Sequence, residues 1–233
     1  MGMTLNMGFD RGNCRTNAVA IADGGRFVEI DASSMVAEGD LKRYQLVKTG
    51  SGGFEGANLS DMVVEYEGLV YFLSDLAHQG KNPTTGFGDK NRYHGKHTKI
   101  AIMAYAAMLA AKRWHPVLPT EFAVNLVMGV PFRAYQDESE RIVQELSHSY
   151  RFTLNGRDTL IHIDTVKVFM EGAGAAIYRG FDASQTIGIV DSGSLTTNIL
   201  RFDGARAHAE QCDSFEIGIA TALDRLNTRF EHK

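Results

Sequence analysis

Cysteine is nearly absent from this chain: Cys14 and Cys212 are the only two among 233 residues. Two widely separated thiols make neither a disulfide framework nor a zinc site, and they point to a reducing compartment. Positive charge is not in excess either, with 24 Lys and Arg against 28 Asp and Glu and a net charge of −4. That balance excludes a protein that coats nucleic acid by bulk electrostatics and leaves at most a local basic patch. Long apolar runs are missing as well. The longest, residues 100–111, is too short to span a bilayer and is bracketed by Lys99 and Lys112, so it reads as a buried helix. Residues 1–9 lack the basic start and long apolar core of a secretory signal. The expectation is a cytoplasmic protein whose length allows one large or two modest domains.

What is present is an arrangement that occurs twice. Gly8-Phe9-Asp10-Arg11-Gly12-Asn13 closes an apolar opening run, and Asp23-Gly24-Gly25 follows it. Ile187-Gly188-Ile189-Val190-Asp191-Ser192-Gly193-Ser194 does the same far along the chain, followed by Asp203-Gly204. Each reads as strand, tight Asp-x-Gly turn, strand, then a glycine-containing hairpin turn into a third strand. Between the two, Glu67-Gly68 and Asn155-Gly156 predict further hairpins. Thr49-Gly50-Ser51-Gly52-Gly53 reads as a flexible loop, and residues 79–95 as a long loop or a mobile edge. Helices are expected at 98–113, capped by Thr98, at 133–147, at 172–179 and at 214–229, the last with Ile217, Ala220, Leu223 and Leu226 on one face.

Paired Asp-x-Gly turns suit a phosphate chain: backbone N–H groups hold the anion and carboxylates hold its hydrated magnesium. On that reading Asp10 and Asp191 are the metal-organising acids, and Gly12 and Gly193 let the backbone approach. A lone Asp is as well explained by a β-turn cap, but the matched spacing of two such hairpins favours the joint role. Ser194, Thr196 and Thr197 add hydroxyls that either donate to phosphate or simply favour strand. Glu171, ending an apolar strand before Gly172-Ala173-Gly174, either polarises a water for attack on a terminal phosphate or complements a helix dipole. The basic run Lys90, Arg92, His94, Lys96, His97 and Lys99 reads as a solvated loop, because Asp89 interrupts it and no aromatic series accompanies it. His94 and His97 lack further metal ligands nearby.

Taken in order, these stretches resemble the ParM-type (StbA) plasmid-segregation branch of the actin, Hsp70 and sugar-kinase ATPase superfamily. The likeness extends from Met3 to the end. Besides the two phosphate motifs, it is carried by Met128-Gly129-Val130-Pro131-Phe132-Arg133-Ala134-Tyr135, by Phe152-Thr153-Leu154-Asn155-Gly156 with Val166-Lys167-Val168-Phe169-Met170-Glu171-Gly172-Ala173-Gly174-Ala175, and by Cys212-Asp213-Ser214-Phe215-Glu216-Ile217-Gly218. The resemblance implies an α/β, actin-like (ribonuclease H-like) duplicated fold with its first lobe complete and its second truncated. Residues 1–30 and 97–182 would form the first-lobe core, 31–96 an inserted smaller subdomain, and 183–233 the start of the second lobe.

By the same resemblance, Asp10 and Asp191 would organise magnesium through water, and Glu171 would orient the attacking water. Gly12, Asn13, Cys14, Arg15, Asn17, Gly193, Ser194, Thr196 and Thr197 would surround the phosphates of ATP or GTP. The implied activity is nucleotide-driven filament assembly for plasmid DNA segregation, with self and a DNA-binding adaptor as partners and no direct contact with nucleic acid or membrane. Three departures stand out: Asn17 where the family has lysine, Ser194 and Asn198 in the second motif, and no downstream glycine-rich adenosine motif. They keep a non-catalytic actin-like scaffold or capping subunit in view. A small-molecule kinase is a weaker alternative, for want of a polar substrate set.

Overall fold

The computed structural model describes residues 2–21, 25–42, 44, 62–85, 92–180 and 184–231. Gly24, the 49–53 loop, Asp89 and Lys90 lie outside the described residues. The chain divides into two compact units: Met1–Met128 with Arg141–Lys167, and Gly129–Glu140 with Val168–Lys233. No helix among the described residues is long and apolar enough to cross a membrane.

The first unit is built on a sheet that begins with β1 (Thr4–Arg11), β2 (Arg15–Ile21) and β3 (Phe27–Ser33) as an antiparallel meander. Alternation along β1 buries Leu5, Met7, Phe9 and Arg11 and turns Asn6, Gly8 and Asp10 to the other face. β4 (Val36–Glu38), β5 (Met62–Tyr66), β6 (Leu69–Leu73), a 3-10 turn (Ser74–Gln79) and β7 (Lys81–Thr84) follow. Then come helix α1 (Lys96–Trp114), β8 (Glu121–Val130), α2 (Phe132–Leu146), β9 (Ser149–Leu154) and β10 (Arg157–Met170). The strand order is β3-β2-β1-β8-β10-β9-β5-β6-β4-β7, with β8 parallel to β1. Residues 31–96 therefore add their strands to the same sheet rather than building a separate one. Asn155 makes that join: its backbone N–H donates to the Val63 carbonyl and its side-chain Oδ1 accepts from the Val63 N–H, both at 2.8 Å.

α1 is buried almost all round, from Thr98 to Ala110, as expected of a helix inside a core. It packs on β1, β2, β3, β5 and β9. Phe9 meets Tyr105 edge-on at 6.0 Å, and burial pushes the Tyr105 phenol up to about 12.

Four local expectations need correction. Thr98 does not cap α1; Gly95 does, because the Thr98 hydroxyl donates to the Arg92 carbonyl and accepts from the buried Arg11 guanidinium at 2.9 Å. The basic run is packed rather than solvated: Arg92 bonds Asn13 Oδ1 at 2.7 Å, Lys96 lies over the Tyr71 ring, Lys99 pairs with Glu145 at 2.9 Å, and His94 is buried. The 79–95 stretch is not all loop: it contains β7, which lies at the edge of the sheet. Residues 214–229 are not one helix, since Ser214 and Phe215 belong to a strand and Gly218 separates them from the helix.

The second unit holds α3 (Ala173–Arg179), β11 (Thr186–Ser192), β12 (Thr197–Asp203), β13 (Arg206–Ala207), β14 (Asp213–Phe215) and α4 (Ile219–Glu231). β12 is central, pairing β11, β13 and β14. Phe132, Ala173, Ala176, Leu200, Phe202 and Cys212 form its core. The Ile217, Leu223 and Leu226 side chains stay exposed.

Candidate functional site

The first Asp-x-Gly turn joins β1 to β2. Asp10 is exposed and lies directly opposite Asn17, which in turn lies opposite Asp31 on β3. These three polar side chains form one row across the face that α1 leaves open. Arg15 is held on Asp31 at 2.7 Å, and this hydrogen bond and charge pairing raise the guanidinium above its ordinary value. Asn13 is buried, with its side-chain oxygen taken by Arg92.

Ser34 anchors the turn. Its hydroxyl donates to the Gly12 carbonyl at 2.8 Å and its N–H to the Cys14 carbonyl at 3.0 Å. A trans peptide sets the carbonyl of one residue antiparallel to the N–H of the next. Tying down the carbonyls of Gly12 and Cys14 therefore directs the N–H groups of Asn13 and Arg15 away from Ser34.

The second turn, in the other unit, is built by the same device with a different anchor. The Gly193 and Ser194 carbonyls accept from Ile219 and Ala220 at 3.1 and 2.9 Å, which caps the start of α4. The N–H groups of Ser194 and Leu195 consequently face away from that helix. Gly218 allows the close approach: a Cβ there would lie 2.5 Å from the Leu195 nitrogen and from the Ser194 carbonyl. Thr197 donates its hydroxyl to the Ile217 carbonyl at 2.6 Å and receives Ser192 at 3.1 Å.

Glu171 directly follows β10, its N–H still on the Val130 carbonyl at 2.8 Å and its side chain over Gly129. Gly172 then turns the chain at φ 84°, a left-handed value suited to glycine. A Cβ at Gly172 would lie 3.3 Å from Asp191 Cβ, so Glu171 and Asp191 share one corner of this unit. Asn198, opposite Asp191 in the β11–β12 register, donates from Nδ2 to Glu171 Oε2 at 3.0 Å.

Asp10, Gly12, Asn13, Cys14, Arg15 and Asn17 thus gather at one hairpin, and Glu171, Asp191, Gly193, Ser194, Thr196 and Thr197 gather around another. Sequence reasoning missed Ser34, Gly218 and Ser214, which hold these turns and side chains in place. Within each unit, an Asp-x-Gly turn whose N–H groups are directed away from its anchor fits a phosphate, and the carboxylate beside it fits a hydrated magnesium ion. Among the described residues no three metal-ligating side chains cluster.

Comparison with known proteins follows the same line. The family described as "Actin like proteins N terminal domain" matches residues 8–174. No curated protein matches the chain. Among solved structures, the chain is similar to apo pSK41 ParM (TM-score 0.69, 15% identity, covering 98% of this chain and 71% of that one). It is similar to AlfA from a B. subtilis plasmid, solved as a filament (0.69, 19%, 97% and 77%). It also resembles Bacillus thuringiensis ParM with AMPPNP (0.69, 16%, 99% and 66%). At these identities the likeness concerns the fold, and this chain spans about two thirds to three quarters of their lengths.

Proposed function

The chain belongs to the actin-like proteins, through the N-terminal domain that residues 8–174 carry, and from that premise we propose that it is a magnesium-dependent ATPase that assembles into nucleotide-dependent filaments for plasmid segregation. The observation that carries this reading is the pair of Asp-x-Gly turns whose carbonyls are tied inward, at Ser34 and at the start of α4. Each turn then offers N–H groups to an anion. Relatives of the same fold were solved as filaments and with AMPPNP, which supports self-association and nucleotide binding here.

In this reading the N–H groups of Asn13, Arg15, Ser194 and Leu195 bind phosphate oxygens, with Thr196 beside them. Asp10 and Asp191 would each offer a carboxylate to a hydrated magnesium, which when bound would neutralise charge on the phosphates. Glu171 orients the water that attacks the terminal phosphate and accepts its proton. The protein would act in the cytoplasm, with further copies of itself and a DNA-bound adaptor as partners. Arg15 on Asp31 and the Thr197 hydroxyl on Ile217 favour a second reading, a non-catalytic actin-like scaffold, since both side chains are turned to internal partners.

Pelleting and light scattering of the purified chain with Mg-ATP, with a slowly hydrolysed analogue and without nucleotide separate the two. Nucleotide-dependent polymer with phosphate release is expected. Glu171→Ala should slow phosphate release by about 100-fold, at the lower end of the usual acid–base contribution, and leave assembly intact. Polymer that ignores nucleotide would establish the scaffold instead.

A further inference from the structure

The amide of Asn198 is fixed at both ends. Asn198 is 1% exposed, and its Oδ1 accepts from Ser214 Oγ at 2.6 Å while its Nδ2 donates to Glu171 Oε2 at 3.0 Å. An amide carries one acceptor oxygen and one donor nitrogen. The Glu171 carboxylate only accepts, so the nitrogen must face it and the oxygen is left to take the Ser214 hydroxyl. Ser214 is itself buried and lies opposite Asn198 in the β12–β14 register. The neighbouring Asp213 anchors that strand to α2 through Arg133 at 3.0 Å. The relay therefore runs from a strand pinned by an ion pair, through two buried polar side chains, to one oxygen of Glu171.

We propose that Asn198, oriented by Ser214, is a positioning residue that holds Oε2 of Glu171 and so fixes how its carboxylate meets the attacking water. This rests on the reading of Glu171 given above. A neutral donor suits the place, because Asp191 already puts a carboxylate in the same corner and a further one would repel both. An apolar residue would leave the Glu171 oxygen without its donor and the Ser214 hydroxyl without its acceptor.

The test uses the unaltered chain with Asn198→Asp, Asn198→Ala, Ser214→Ala and Ser214→Thr. Single-turnover hydrolysis of Mg-ATP and the affinity for a fluorescent ATP analogue are measured on each. Both Asn198 variants should slow hydrolysis by about 10–100-fold, the usual cost of losing an outer partner of a reactive group, with affinity changed by less than about threefold. Asn198→Asp should be the slower of the two, since it cannot donate and adds charge. Ser214→Thr, which keeps the hydroxyl, should restore the rate that Ser214→Ala loses. A second readout needs no nucleotide: the side-chain amide resonances of Asn198 should shift in Glu171→Ala and in Ser214→Ala.

An unaltered chain that does not hydrolyse Mg-ATP overturns the reading of Glu171 and this role with it. An active chain in which Asn198→Asp hydrolyses at the full rate overturns the positioning role alone. So does an Asn198 amide resonance that ignores Glu171→Ala, or a loss of affinity that parallels the loss of rate.

Discussion

Gly218 shows how one missing side chain shapes the second turn. A Cβ at this position would sit 2.5 Å from backbone atoms of Ser194 and Leu195, which have no flexible end to swing aside. Gly218→Ala should therefore cost about 1–3 kcal/mol through overpacking. It should also weaken nucleotide affinity, because the displaced turn is the one whose N–H groups are aimed. Gly188→Ala is the control, since nothing lies within 4 Å of the added carbon and its effect should stay within about 0.5 kcal/mol. Urea unfolding of both variants measures the difference. Equal midpoints for the two would show that the helix start yields freely and does not aim the turn.

Individual elements connect the two Asp-x-Gly turns to the rest of each unit, and their charges make a pH prediction. In the first unit, Lys99 on α1 holds Glu145 on α2 at 2.9 Å, and this hydrogen bond and charge pairing pull the Glu145 carboxyl below its ordinary value. A depressed folded-state value means stability that is present above the unfolded carboxylate range and lost as pH falls through the folded value. Glu145→Gln should lower the thermal midpoint at neutral pH, and the deficit should begin to fade at about pH 4, the ordinary carboxylate range, and disappear as pH falls through the lower folded value. A deficit that persists unchanged to about pH 3 would assign it to packing instead. The elements also show what the sequence made legible. Glu67-Gly68 and Asn155-Gly156 turn where their dipeptides predict, with both residues of each pair at positive φ, because that signal is local. The Asp-x-Gly hairpins are legible for the same reason. Thr98 misled because its hydroxyl is claimed by Arg11 from across the sequence, and Ser214 misled because a helical apolar spacing continues through a strand. Neither Ser34 nor Ser214 carries a pattern of its own; each matters through a partner that only folding brings to it.

At the scale of the whole molecule, the two units differ in how much core supports each Asp-x-Gly turn. The first unit encloses α1 within a wide sheet, with Leu5, Met103, Ile100 and Leu126 at most 1% exposed. The second rests on the small cluster around Leu200 and Phe202, while Val190 is 71% and Leu223 55% exposed. Buried apolar area is the main support against local opening, so the β11–β12 hairpin should open at lower free energy than β1 and β8. Native-state hydrogen exchange reads this directly: amides of β1, β8 and α1 should exchange slowest, and those of β11 and β12 markedly faster. Ligand that binds only the closed form stabilises it in proportion to the logarithm of its concentration over its dissociation constant. Mg-ATP should therefore slow exchange in β11 and β12 more than in α1, since the weaker element has more protection to gain. If β11 and β12 are as protected as β1 without nucleotide, core size does not set the stability of this unit. Should Mg-ATP leave exchange in both hairpins unchanged, the outward N–H groups hold no phosphate.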